Sequence, residues 1–272
     1  MSTTPPTDRA GRPKAGRWSP SSRISFSGRP EGALVRNVAD LDLTSPIQGF
    51  GKLWRKTYQV PLDGAALTPE QVVAIWKAEF ATFWPRTAHI YGGEEVVTVG
   101  DSMLINIGIG PLVLWSTGVV VLYEDDRSFT FMTPERHSFA GWITFSVDRD
   151  GAGDAPTATI DVLIRTSDPF YELLMPLGGH RGEDWQWRTV LRNLAARVGA
   201  GGARPTMTRI CVDHSRQWRY WRNLRANSMV RTTLYSLTHP RRRRRDATGP
   251  VGASTSDDSH GPDGARDLER ST

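Results

Sequence analysis

The sequence predicts an α+β fold: a curved antiparallel sheet around a long C-terminal helix, followed by a basic helical extension. Two observations carry the first part. Apolar residues recur at helical spacing over 68–85, switch to alternation from about Glu94 to Thr166, and return to helical spacing over 167–199. The alternating segments are consecutive and separated by short polar turns, which makes them a meander of antiparallel neighbours. A third observation, the concentration of arginine after residue 204, predicts the extension.

At 272 residues and 38% hydrophobic content, the chain can bury a sizeable core. Its one cysteine, Cys211, excludes an internal disulfide and leaves a reduced, cytoplasmic setting as the expectation. The start, MSTTPPTDRAGRPKAGRWSPSS, is basic but lacks the apolar core of a secretory signal. Net charge is +5 over 1–36, −7 over 37–203, +6 over 204–238 and +1 over 239–272. An acidic main body argues against nucleic acid as the partner of the whole protein, because such a domain shows its basic footprint on its folded face. The expected organisation is a disordered basic arm (1–40), a folded domain (41–203), a basic aromatic strand–helix extension (204–240) and a disordered tail (241–272) opened by RRRRR.

Element by element, GKLWRKTYQVPL (51–62) reads as a strand with Leu53, Tyr58 and Val60 among polar neighbours. Thr68, Pro69 and Gln71 then form a capping-box start. Val72, Ile75, Trp76, Phe80 and Phe83 follow at helical spacing, ended by Pro85. The stretch MLINIGIGPLVLWSTGVVVLY (103–123) has no charged side chain and is long enough to span a bilayer. Gly108, Gly110 and Pro111 at its middle, its β-branched residues and its acidic flanks make it two buried strands meeting near Gly110 instead. SFTFMT, HSFAGWITFSV and ATIDVLIRTS continue the alternation. They place Phe139, Ile143, Phe145 and Val147 on one face of their strand, and Ala158, Ile160, Val162 and Ile164 on one face of the next. Ser167 or Asp168 as cap, with Pro169 next, opens a helix, MPLGGHRG interrupts it, and EDWQWRTVLRNLAARVG resumes it, as one bent helix or two. After a glycine-rich linker, TRICVD (208–213) is a short strand. From Arg216 to Leu237 a helix carries Trp218, Trp221 and Leu224 as a stripe, with arginines stepping by three.

The phrases GVVVLYEDDRSFTFMT, HSFAGWITFSV, ATIDVLIRTSDPFYELL and EDWQWRTVLRNLAARV, in this order, resemble the helix-grip fold of the SRPBCC superfamily, which includes START lipid-transfer domains, the birch-pollen-allergen family and polyketide cyclases. The resemblance covers roughly Gly51 to Val198 and is closest to an uncharacterised bacterial branch. It implies a cavity between the sheet and the last helix, and from it the binding of a hydrophobic small molecule, lipid or polyketide-like. Two features depart from the family pattern: the break at MPLGGHRG, which alters one cavity wall, and the extension after 204, which supplies a lid, a partner surface or packing for the sheet edge.

With such a cavity, alternation nominates Trp76, Phe80, Trp115, Phe131, Trp142, Phe145 and Tyr171 as wall residues. Glu135 and His137, in the polar link MTPERHSF, are the candidate acid and base for a cyclase or dehydratase on the same scaffold; the plainer reading of that link is a solvated turn. Asp161 and Arg165 share a strand face, most simply the wet one. His180 and Glu183 have the spacing of half a di-iron motif, with no second half to complete it. No zinc motif or phosphate-binding glycine loop is present, so no metal or cofactor is expected. A third reading gives the basic segment Arg216–Arg245 a role on an anionic membrane surface or nucleic acid; the plainer alternative packs its tryptophans on the acidic body.

Overall fold

Alternation along the chain becomes a single antiparallel sheet in the computed structural model, which describes residues 16–26, 40–92, 96–109, 112–149 and 155–238. The elements, in order, are β1 (Arg17–Trp18), β2 (Arg23–Ile24), β3 (Leu41–Asp42), β4 (Leu53–Pro61), α1 (Pro69–Ala78), β5 (Ala88–Tyr91), β6 (Ser102–Ile109), β7 (Leu112–Glu124), β8 (Ser128–Met132), β9 (Phe139–Asp148), β10 (Thr157–Thr166), α2 (Pro169–Leu174), α3 (His180–Arg197), β11 (Thr206–Asp213) and α4 (Ser228–Thr238). Strand order is β11-β4-β10-β9-β8-β7-β6-β5. β5 to β10 form the expected meander, and β4 closes on β10. Register shifts at Ile107/Gly108, Val121/Tyr123 and Cys211/Asp213 bend their strands, as bulges do.

One face of this sheet packs on α1 and α3. Tyr58, Val60, Phe129, Phe145, Ile160 and Val162 meet Val72 and Trp76 of α1 and Trp187, Leu191 and Leu194 of α3 in one core. Thr68 caps α1 through the Gln71 N–H, and Gln71 returns the bond to the Thr68 N–H, so the capping box is in place. The arrangement, a sheet gripping a long helix, is the helix-grip one that the resemblance implies.

The interrupted helix is one bent path. Asp168 caps α2, a π turn spans Met175–Gly179, and α3 follows without a loop. Gly178 absorbs the bend at φ 130°, a conformation that a side chain would oppose.

The charge-free stretch forms β6 and β7, and both of its faces are covered. Met103, Ile105, Val119 and Val121 point into the main core. Leu104 and Val120, on the other face, pack with Ile24 and Leu41 in a second cluster. This corrects the expectation of an unstructured arm over 1–40. Residues 16–26 belong to the fold, with β1 pairing beside β7 where it outruns β6, and β2 pairing with β3. Residues 1–15, 27–39 and the expected tail lie outside the described residues. Among those described, no helix is long and apolar enough to cross a membrane.

The basic segment also differs from one continuous helix. Trp218–Ala226 is a 3-10 helix, and α4 begins only after Asn227. The sequence Trp-Arg-Tyr, Trp-Arg-Asn, Leu-Arg-Ala repeats every three residues, the period of a 3-10 turn. Asn227 then caps α4 by accepting the Val230 N–H at 2.9 Å.

Candidate functional site

Between the sheet and α2–α3 lies a cavity of about 330 Å³. Ile105, Ile107, Trp115 and Val119 form its β6–β7 wall, Phe131, Phe139 and Ile143 its β8–β9 wall, and Leu174, Met175 and Trp187 its helical wall. These strand residues share the inward parity of their strands, and the break at Met175–Gly179 places Met175 and Gly179 in the helical wall. Polar groups are few: Thr87, Thr117, Thr133, His137, Ser138, Tyr171, Glu183 and Gln186.

The C-terminal extension covers one end. Met229 of α4 lines the cavity, and its N–H donates to the Tyr171 hydroxyl at 3.1 Å. Ser228 Oγ accepts the Trp115 indole N–H at 2.9 Å and sits 3.1 Å from the Tyr171 hydroxyl. Burial raises the Tyr171 phenol to about 12, so it stays protonated and can donate to Ser228. Asn227 and Asn223 tie the same segment to Asp168 and to the Ser167 carbonyl. Further back, the buried Arg165 guanidinium holds the Gly51 and Ser215 carbonyls and pairs with Asp213. Asp161, its neighbour on the outer face, pairs with Arg55.

Of the predicted wall residues, Trp115, Phe131 and Tyr171 line the cavity. Trp76, Phe80 and Phe145 do not. Trp76 and Phe80 pack edge-on against Phe145 and Phe129 in the core, with Trp76–Phe145 and Phe80–Phe145 centroids 5.4 and 5.6 Å apart, and Phe145 stacks on Phe129 at 4.8 Å. Trp142 has the opposite parity from Ile143 and Phe145 and lies half-buried on the outer face.

Glu135 and His137 do not both reach the cavity. Glu135 is exposed on its turn and borders a second, polar hollow of about 250 Å³ beside Ser167, Asp168, Asn223 and Asn227, not the apolar cavity. His137 is buried and borders both. Burial lowers the His137 imidazole to about 4. Its Nδ1 lies 3.0 Å from both the N–H and the carbonyl oxygen of Phe139, accepting from the first in one neutral tautomer and donating to the second in the other. Nδ1 is thus committed to the Phe139 backbone, Nε2 is the nitrogen left for a guest, and burial keeps the ring neutral at pH 7.

A charged cluster stands at the α3 end. Lys56, fully buried on the inner face of β4, donates to Glu183 Oε2 at 2.6 Å and to Asp184 Oδ1 at 2.9 Å, and the Tyr58 hydroxyl donates to Asp184 at 2.6 Å. Burial lifts the Glu183 carboxyl above its ordinary range by more than the Lys56 charge lowers it. Burial pushes Asp184 up as well, but hydrogen bonds from Tyr58 and Lys56 outweigh that and hold it low. Glu183 is the member that lines the cavity. His180 stacks edge-on against Trp54 at 5.2 Å, and burial with the charges of Lys56 and Arg209 lowers it to about 4. Among the described residues no group of three His, Cys, Asp or Glu side chains is placed to hold a metal.

No protein-family model matches the chain. No curated protein matches it either. Solved structures similar to it include the KanY protein (14% identity, 53% of this chain and 95% of that one, TM-score 0.38), a Thermobifida fusca protein (15%, 55% and 94%, 0.38) and major latex-like protein 151 of Panax ginseng (18%, 54% and 98%, 0.33).

Proposed function

We propose that the protein binds a hydrophobic small molecule in the cavity beneath α2–α3, covered by the start of α4. The observation that carries this reading is the composition of the walls: a space of about 330 Å³, mostly aliphatic and aromatic, falls within the range of small-molecule sites. A few polar groups would orient the guest. His137 offers its Nε2, and the buried Trp84 indole N–H, also of the wall, has no acceptor among the described residues. A ligand with an apolar body and one or two acceptor oxygens, of lipid or polyketide type, suits this set.

Binding is favoured over turnover. Of the acid–base pair nominated from sequence only His137 reaches the apolar cavity, the two meeting at the polar hollow instead, and the cavity's one carboxylate, Glu183, is committed to Lys56. Native mass spectrometry of protein purified from its own host, followed by denaturing extraction, would identify a co-purifying apolar molecule. The fluorescent probe N-phenyl-1-naphthylamine should bind with one site per chain and be displaced by fatty acids. Val119→Trp should abolish its uptake by filling the space. Undiminished uptake in that variant would remove the cavity as the site.

A further inference from the structure

The 3-10 helix Trp218–Ala226 sorts its side chains into three rows. Tyr220, Asn223 and Ala226 face the protein, where they border the polar hollow beside Asp168. Trp218, Trp221 and Leu224 form a second row, 69%, 44% and 43% exposed. Arg219, Arg222 and Arg225 form the third, all exposed, and among the described residues none of them pairs with a carboxylate. A period of three stacks i and i+3 directly, so each row runs straight along the helix.

α4 repeats the theme with its polarity reversed. Ser228 and Thr232 are buried against the body, whereas Val230, Leu234 and Leu237, spaced as one helical face, are 40%, 58% and 67% exposed. A helix covering a water-soluble domain turns its apolar side inward. Here the apolar side is outermost in two successive helices, and arginines run beside it in the first.

We propose that residues 218–237 are a docking face for an anionic lipid surface. Tryptophan and leucine would enter the headgroup boundary while Arg219, Arg222 and Arg225 meet lipid phosphates. Indole rings prefer that boundary, and guanidinium groups beside an apolar row are the pattern of helices that lie in it. Single-stranded nucleic acid fits less well: Leu224, Leu234 and Leu237 offer no stacking surface, and the apolar and basic rows point in different directions instead of converging on one groove.

The test is co-sedimentation of the full chain with phosphatidylcholine vesicles, with and without phosphatidylglycerol, at low and high salt. Binding should require phosphatidylglycerol, weaken with salt, and shift tryptophan emission to the blue. Trp218→Ser combined with Trp221→Ser and Leu224→Ser removes the apolar row, including the edge-on contact of Trp218 with Phe50, and should weaken binding by roughly tenfold or more while the urea midpoint shows the domain still folded. Replacing Arg241–Arg245 by alanine should leave the blue shift on bound vesicles in place. Equal binding to neutral vesicles, no binding at all, or affinity that follows Arg241–Arg245 and ignores the triple serine variant would overturn the proposal. So would a dimer in solution that buries the same tryptophans, or preferential binding of polyuridine. Loss of probe uptake in Val119→Trp with vesicle binding retained would keep this inference apart from the cavity's role.

Discussion

The Asn227 amide donates to Asp168 Oδ2 at 2.8 Å, and each of these residues caps a helix. Asp168 accepts the N–H groups of Phe170 and Tyr171 at the start of α2; Asn227 accepts the Val230 N–H at the start of α4. One hydrogen bond therefore joins the cavity's wall to its cover. Burial raises the Asp168 carboxyl, and the Asn227 amide is one of three donors that oppose the rise. Asn227→Ala removes a cap, about 1 kcal/mol, and a donor to a buried carboxylate, about 1–3 kcal/mol. Limited proteolysis should then cut within 215–238 before the domain, and probe exchange should quicken. Cleavage at the wild-type rate would mean that Trp115, Ser228 and Tyr171 hold the cover unaided.

His137 predicts a pH dependence. Its pKa is about 4 folded and near 6.5 unfolded, so the unfolded chain takes up the proton first as pH falls. Stability from this group is present above pH 6.5 and is lost progressively between 6.5 and 4, by roughly 3 kcal/mol in all. His137→Asn keeps an acceptor for the Phe139 N–H and does not titrate. Urea midpoints at pH 7 and pH 4.5 should differ less for the variant than for the wild type, and identical differences would contradict the assignment.

Lys56 should not tolerate truncation. Lys56→Met leaves Glu183 and Asp184 buried without their cation, which costs about 3–5 kcal/mol at pH 7. Adding Glu183→Gln should restore part of this, because it neutralises the carboxyl that burial already disfavours. Urea denaturation of the single and double variants measures both. A loss below about 1 kcal/mol in the single variant would place Lys56 in contact with water.

The elements were legible where one physical signal sufficed. The Thr68 capping box, the meander and a helix start at Ser167 or Asp168 each follow from local pattern, and they appear within a residue or two of their expected positions, with Asp168 as the cap. The site was legible only in part, because alternation separates two faces without telling cavity from core: Trp115 and Phe145 both point inward, and only depth along the sheet decides which meets a void. Lys56 did carry a signal. Tyr58 and Val60 fix the inward parity of β4, and that parity takes Lys56 inside with them; including Leu53 in the same stripe obscured it. Ser228 and Met229 could not be placed by periodicity, since their role depends on where the 3-10 helix hands over to α4.

Ile24 tests the part of the chain whose composition most resembles a disordered arm. It is fully buried against Leu41, Leu104 and Val120, and it explains why β6 and β7 are apolar on both faces. Ile24→Ala should cost about 2–4 kcal/mol, as for a core position, against a few tenths for a residue in a solvated arm. The loss should appear in the global unfolding midpoint and leave probe binding intact in the folded population, because Ile24 packs on the face of β6–β7 opposite to Ile105 and Val119. A thermal midpoint unchanged by the substitution would return residues 16–26 to the arm and leave the outer side of Leu104 and Val120 to another cover.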